Sequence, residues 1–232
     1  MIIACHQPNY LPHLGFFHKM KEADVFVLLD SVQFSDGFYQ HRNRIRVNNG
    51  WKWLTIPVER TFQHIQNVKI KQHVQLAGRP WHMYHWDMIQ HAYAKTPFFT
   101  QHALALEAIF HSGYSFEHLA DFTIECITHL KNIAGITTPL VRSSTLNIEA
   151  TDASDRLSAI TKKLGGTVYL SGPSGGSKYE LREEPFQTQN ITVAHQHFTH
   201  PVYEQYHGKQ DGLFEKNLSS LDALFNTGSI PI

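Results

Sequence analysis

The chain has 232 residues, and its 20 Lys+Arg balance 20 Asp+Glu for a formal net charge of +0. That balance argues against partners held by non-specific contact, nucleic acid or anionic lipid, which reward a surplus of positive charge. Hydrophobic residues make up 42% of the chain, enough for a sizeable core, so wholesale disorder is excluded.

Taken in chain order, Ile2-Ile3-Ala4-Cys5 reads as a short buried strand, cut off by Pro8 and Pro12. A helix is expected after Pro12, with Phe17 and Met20 on its inner side. Asp24 to Asp30 is a second apolar run, charged at both ends, of the kind found in strands covered on both faces. Trp53 to Val58 is a predicted third strand. Strand, helix and strand at this spacing form a βαβ unit. The middle is helical. Residues 80–111 predict one or two helices broken near Thr96-Pro97, and Phe116 to Ala134 keeps the 3.6-residue period until Gly135 stops it. Pro139-Leu140-Val141 is then a strand, and Asp152 or Thr151 N-caps a helix ended by Gly165-Gly166. Thr167 to Leu170 and Ile191 to Ala194 are further strands, and a closing helix spans Asn217 to Phe225. The expected architecture is α/β: a mainly parallel sheet with flanking helices and a helical middle segment. We read 1–232 as a single domain, with a helical insertion or cap at about 80–135.

Cys5 and Cys126 are too few for a disulfide framework. The N-terminus lacks the basic, apolar pattern of a signal peptide, and no apolar stretch approaches the roughly 20 residues that span a bilayer. A reducing cytoplasm is the expected compartment.

Three segments carry candidate chemistry. The first is His6-Gln7-Pro8-Asn9-Tyr10-Leu11-Pro12, at the carboxyl end of the first strand, where open α/β sheets bind ligands. His6 is the candidate general base, with Gln7, Asn9 and Tyr10 as substrate-binding groups. Cys5 and His6 are neighbours on a strand and face opposite ways, so no thiolate–imidazole pair is expected. The second segment ends the second strand with Asp30 and Gln33, followed by Arg42-Asn43-Arg44. Asp30 would orient the imidazole or bind the acceptor, Gln33 and Asn43 would supply neutral hydrogen bonds, and Arg42 and Arg44 would clamp phosphate or carboxylate. The third is Ser171-Gly172-Pro173-Ser174-Gly175-Gly176-Ser177-Lys178, a Ser/Gly loop with a lysine. Ser171, Gly172, Ser174 and Lys178 suit an oxyanion, although the P-loop spacing is absent. The chain also holds 17 His. The pairs in His195-Gln196-His197 and His82 to His85 have metal-ligand spacing but no acidic or cysteine partner at a telling distance, and no metal site is expected.

The opening His6 to Pro12 with Gly15 and Phe17 resembles the signature of the WbqC-like family. So do Asp30 to Phe34, Gln40 to Arg44, Trp53 to Val58, Tyr169 to Pro173 and Asn217 to Asn226. His41 stands where such relatives usually carry Asn. The resemblance implies a cytoplasmic transferase of bacterial O-antigen or related polysaccharide biosynthesis. It would act on a small-molecule or sugar-nucleotide substrate, with acyl or aminoacyl transfer to an amino sugar as the reaction. Two alternatives stand beside it: an ATP-binding nucleotidyltransferase-like enzyme, for which ATP with magnesium would be the cofactor, and a non-catalytic binding protein of a glycan assembly pathway. A mixed neutral surface permits a homodimer. All enzymatic readings require the segments near 6, 30, 42 and 171 to converge on one rim.

Overall fold

The computed structural model describes residues 1–59, 62–173, 181–208 and 212–232, and the chain divides into two compact units. Unit 1 comprises Met1–Gln7, Gly15–Val32 and Ile136–Thr199, and unit 2 comprises Pro8–Leu14, Gln33–Gly135 and His200–Ile232.

Unit 1 is an α/β layer built on a five-stranded parallel sheet. Its strands are β1 (Ile2–His6), β2 (Val25–Leu28), β7 (Leu140–Arg142), β8 (Val168–Ser171) and β9 (Thr192–His195), in the spatial order β7-β2-β1-β8-β9. The numbering runs through the chain, and β3 to β6 belong to unit 2. Every pairing in this sheet is parallel. Helices cover both faces, which is why Phe26-Val27-Leu28 is apolar without alternation and fully buried. Helix α1 (Leu14–Lys21) lays Phe16 edge-on against Phe26 at 5.1 Å. A cluster of Ile3, Cys5, Val27, Ile160, Tyr169 and Phe186 packs where α5 (Ala153–Lys163) and α6 (Glu184–Thr188) lie.

Asp152 is the N-cap of α5 as expected, its carboxylate accepting from Ser154 N at 2.7 Å and Asp155 N at 3.0 Å. Gly165 ends the segment in the left-handed region (φ 75°). Gly166 is needed for a different reason. A Cβ there would stand 2.4 Å from Ile3 Cγ1 and 2.8 Å from Thr161 Cγ2.

Unit 2 holds the antiparallel hairpin of β3 (Arg42–Val47) and β4 (Gly50–Thr55), a two-residue-strand pair of β5 (Gln75–Leu76) and β6 (Arg79–Pro80), and a set of helices. The predicted third strand, Trp53 to Val58, therefore forms only over its first three residues, Trp53 to Thr55, and in a different setting. Trp53 pairs with Arg44 across a hairpin and takes no place in the parallel sheet. The reversal is made by Asn48-Asn49 between paired Val47 and Gly50, with Asn49 and Gly50 both at positive φ. The helical middle is α2 (Trp81–Tyr93), α3 (Phe99–Ser112) and α4 (Leu119–Ile133), joined in the same unit by α7 (Ser220–Thr227). Its core is aromatic: Trp86 stacks on Phe110 at 5.7 Å, Trp81 meets Phe122 at 5.3 Å, and Tyr93 meets Phe225 at 5.1 Å.

Candidate functional site

In chain order the five strands of unit 1 occupy the spatial sequence third, second, first, fourth, fifth. The order reverses between β1 and β8. Ligands of open α/β sheets bind outside the carboxyl ends of the strands at such a switch point. Here those ends are His6-Gln7 on β1 and Ser171-Gly172 on β8.

The two strands part company there. Their parallel register runs Ile2↔Val168, Ile3↔Tyr169 and Ala4↔Leu170 and goes no further. On its other side β1 stays paired to β2 through His6↔Leu28, and Leu29 N donates to the His6 carbonyl at 2.8 Å. His6 is half-buried, its ring edge-on to Phe16 at 4.9 Å. Its Nδ1 lies 2.9 Å from the Gln7 carbonyl oxygen. A carbonyl oxygen only accepts, so this contact assigns the proton of the neutral ring to Nδ1 and the basic lone pair to Nε2.

Cys5 turns into the core, as adjacent strand residues must, and burial pushes its thiol up to about 12. Its carbonyl oxygen accepts from Lys19 Nζ at 2.9 Å. Lys19 is 5% exposed, and burial pushes its amine down to about 8.

Asp30 lies two residues beyond β2 and is fully buried. One carboxylate oxygen accepts from Arg142 Nε at 2.6 Å and Ser144 Oγ at 2.8 Å. The other accepts from Ser143 Oγ at 3.1 Å and Ser144 N at 2.9 Å. Those four bonds pin the turn after β7, and the imidazole of His6 is not among the partners. Ser31 adds to the same knot through Ser143 Oγ at 2.8 Å. On the far side of the rim, His195 Nδ1 sits 3.2 Å from the Gly172 carbonyl oxygen, and Gln196 N donates to the Ser171 carbonyl at 3.1 Å.

Unit 1 thus gathers His6, Gln7, Asp30, Ser171 and Gly172 along one strand edge. Ser174 and Lys178 lie outside the described residues. The other candidates belong to unit 2. Asn9 is buried, and Tyr10 is fully buried with its hydroxyl 2.9 Å from His85 Nδ1. The Asn43 amide donates to the Leu11 carbonyl at 2.7 Å and the Tyr10 carbonyl at 3.2 Å, so it holds the proline-rich loop in shape. Gln33 donates to the Phe34 carbonyl at 3.2 Å. Arg42 lies over the Trp53 ring at 4.1 Å and bonds the Gly37 carbonyl. Arg44 lies over Trp51 at 5.0 Å and donates to the Asn217 carbonyl at 3.2 Å. Both guanidinium groups share one face of the hairpin, as alternation along a strand requires.

Arg142, Ser143 and Ser144, on the Asp30 carboxylate, and Lys19, on the Cys5 carbonyl, were not among the sequence candidates. Arg142 ends β7, and Ser143 and Ser144 directly follow it, which marks all three as rim positions. Lys19 is signalled by a charge on the helix that follows the first strand, between Phe17 and Met20. Among the described residues no group of three His, Cys, Asp or Glu is placed to hold a metal ion. His82 and His85 are packed around Trp81 at 5.6 and 5.5 Å. A groove of about 700 Å³ runs between α5 and α6, but its Asp155 is paired with Arg182 at 3.2 Å and no residue of the rim lines it.

Comparison with known proteins returns the WbqC-like protein family, whose model matches residues 7–231. The uncharacterized protein Rv1507c of Mycobacterium tuberculosis is 28% identical over 227 residues, covering 98% of this chain and 94% of its own. No solved structure matches. Among the described residues no helix is long and apolar enough to cross a membrane.

Proposed function

The chain belongs to the WbqC-like protein family, and from that premise we propose that it is a cytoplasmic transferase of bacterial surface-glycan biosynthesis, moving an acyl or aminoacyl group onto an amino sugar or similar small acceptor. The observation that carries the reading is His6 at the switch point with its Nδ1 committed to the Gln7 carbonyl. That contact keeps a basic nitrogen at the carboxyl edge of the central strand, where a substrate amine or hydroxyl would approach.

His6 Nε2 takes the proton of the acceptor as the acceptor's lone pair attacks the donor's carbonyl carbon. A new C–N or C–O bond forms. When the tetrahedral centre collapses, the leaving group departs with the electron pair of the broken bond and recovers the proton from His6. Proton transfer of this kind contributes about a hundred- to ten-thousandfold in rate. The Ser171 hydroxyl and the Gly172 backbone lie at the next strand end and suit the donor's polar groups. Asp30 acts one step back: its four bonds fix the loop ends between which the acceptor would sit. Within unit 2, Arg42 and Arg44, each backed by an indole ring, form a face that suits a phosphate or carboxylate.

A second reading, an ATP-binding nucleotidyltransferase-like enzyme, is favoured by the strand order, which is that of mononucleotide-binding sheets. A thermal-stability screen with nucleotides, sugar nucleotides, acyl-coenzyme A and divalent metals tests both, because a ligand that binds the folded chain raises its melting temperature by mass action. Stabilisation by acyl donors or amino sugars is the expected result. Stabilisation by ATP with magnesium alone selects the nucleotidyltransferase. A binding protein of a glycan assembly pathway would keep its ligand affinity after loss of His6.

A further inference from the structure

Lys19 reaches β1 just past the end of its pairing with β8, its Nζ donating to the Cys5 carbonyl. It starts on α1, the helix that packs Phe16 against Phe26, yet its Nζ comes to 5.9 Å from the centroid of Tyr169, whose ring stacks on Phe186 in the cluster that holds Ile160 of α5. The route passes the place where the strand register ends at Ala4↔Leu170, and it finishes on the carbonyl oxygen of Cys5, the residue before His6.

An ammonium has three N–H donors and no acceptor. One goes to the Cys5 carbonyl, and the Tyr169 ring faces the group as a weak cation–π partner. Among the described residues no carboxylate pairs with it. A neutral donor would satisfy the same carbonyl without desolvating a charge, and buried cations are ordinarily paired. Burial holds its amine down at about 8, as desolvation of a charge requires.

We propose that Lys19 is a ligand-binding residue of the switch-point rim, where its ammonium receives an oxyanion of the substrate, phosphate or carboxylate. The proposal deepens the reading of this rim as the active site and rests on it. A negative group there supplies the counter-charge that the fold withholds, next to the base at His6.

Equilibrium calorimetry with sodium pyrophosphate and, separately, sodium acetate tests it on the full-length protein. At least one probe should bind the wild type, and which one binds distinguishes phosphate from carboxylate. Lys19→Met should weaken that probe at least tenfold, and Lys19→Arg should retain it. Lys19→Gln keeps a donor for the Cys5 carbonyl but no charge, so it should weaken the probe as Met does, and it serves if the Met variant fails to fold. A wild type that binds neither probe overturns the proposal, as do Met and Gln variants that bind like the wild type. Binding is read without turnover, so a protein that holds the probe through Lys19 yet transfers no group sinks the transferase reading alone.

Discussion

Asp30 and Ser144 meet twice: the backbone N–H and the hydroxyl of Ser144 reach different oxygens of one buried carboxylate, at 2.9 and 2.8 Å. With Arg142 and Ser143 on the same carboxylate, the end of β2 and the turn after β7 form one rigid corner of the rim.

Replacing Asp30 with Asn should therefore cost stability first. It removes the charge that four donors converge on, and breaking a buried pair costs about 3–5 kcal/mol, less here because Arg142 is one-third exposed. A loss of about 2–3 kcal/mol in urea unfolding is expected. A change below about 0.5 kcal/mol would show that the corner does not depend on this carboxylate.

His6→Gln should leave the melting temperature nearly unchanged and lower turnover by about a hundred- to ten-thousandfold. The side chain is half-buried against Phe16 and can be replaced by one of similar reach. Unaltered turnover in a steady-state assay would remove it from the mechanism.

Acid stability should depend on His85. Burial pushes its folded-state value down to about 3, while in the unfolded chain it titrates near 6.5. The unfolded chain binds the proton more tightly, so stability is fully present above pH 6.5 and drains away as the pH falls toward 3, at up to about 1.4 kcal/mol per pH unit. His85→Gln removes this group, and its stability should fall less steeply over the same window. Parallel curves for the two proteins in urea titrations between pH 7 and 4 would show that His85 is not the group responsible.

Two glycines separate packing from backbone strain. Gly166→Ala drives a Cβ into Ile3 and Thr161 and should cost about 1–3 kcal/mol. Gly135 ends α4 at φ 66° with open space around its absent Cβ, so Gly135→Ala should cost about 1–2 kcal/mol from the left-handed backbone alone. Equal stability of either variant and the wild type in thermal melts would refute the corresponding cause.

Unit 1 was legible because its sequence is locally consistent. Ile2 to Cys5 and Val25 to Leu28 are unbroken apolar runs, Asp152 stands at a helix start, and Gly165-Gly166 at its end. The hairpin was harder to read. Trp53-Leu54-Thr55 looks like a buried strand until its partner is found, and that partner, Arg42 to Val47, hides its pattern by alternating arginine with Asn43, Ile45 and Val47. The Asn48-Asn49-Gly50 reversal was the available clue. The fate of Tyr10 and Asn43 was not readable at all. Polar side chains in a loop suit a ligand or the loop itself equally well, and only the 2.9 Å contact to His85 and the bonds to the Tyr10 and Leu11 carbonyls decide that these two serve the interior. Asp30 shows the same ambiguity one level up, since a carboxylate at a strand end reads as chemistry until Arg142 and the two serines claim it.

The chain passes from one unit to the other at 7/8, 14/15, 32/33, 135/136 and 199/200, so each unit is assembled from three separate stretches. Neighbouring strands β2 and β7 are joined by a detour through Gln33–Gly135. During synthesis the sheet must wait until Thr192–His195 has been made, and its closure pays the loop entropy of that detour unless the intervening stretch has already contracted. No single cut releases either unit intact, and a fragment ending at residue 135 would hold β1 and β2 with no third strand of their sheet to complete them.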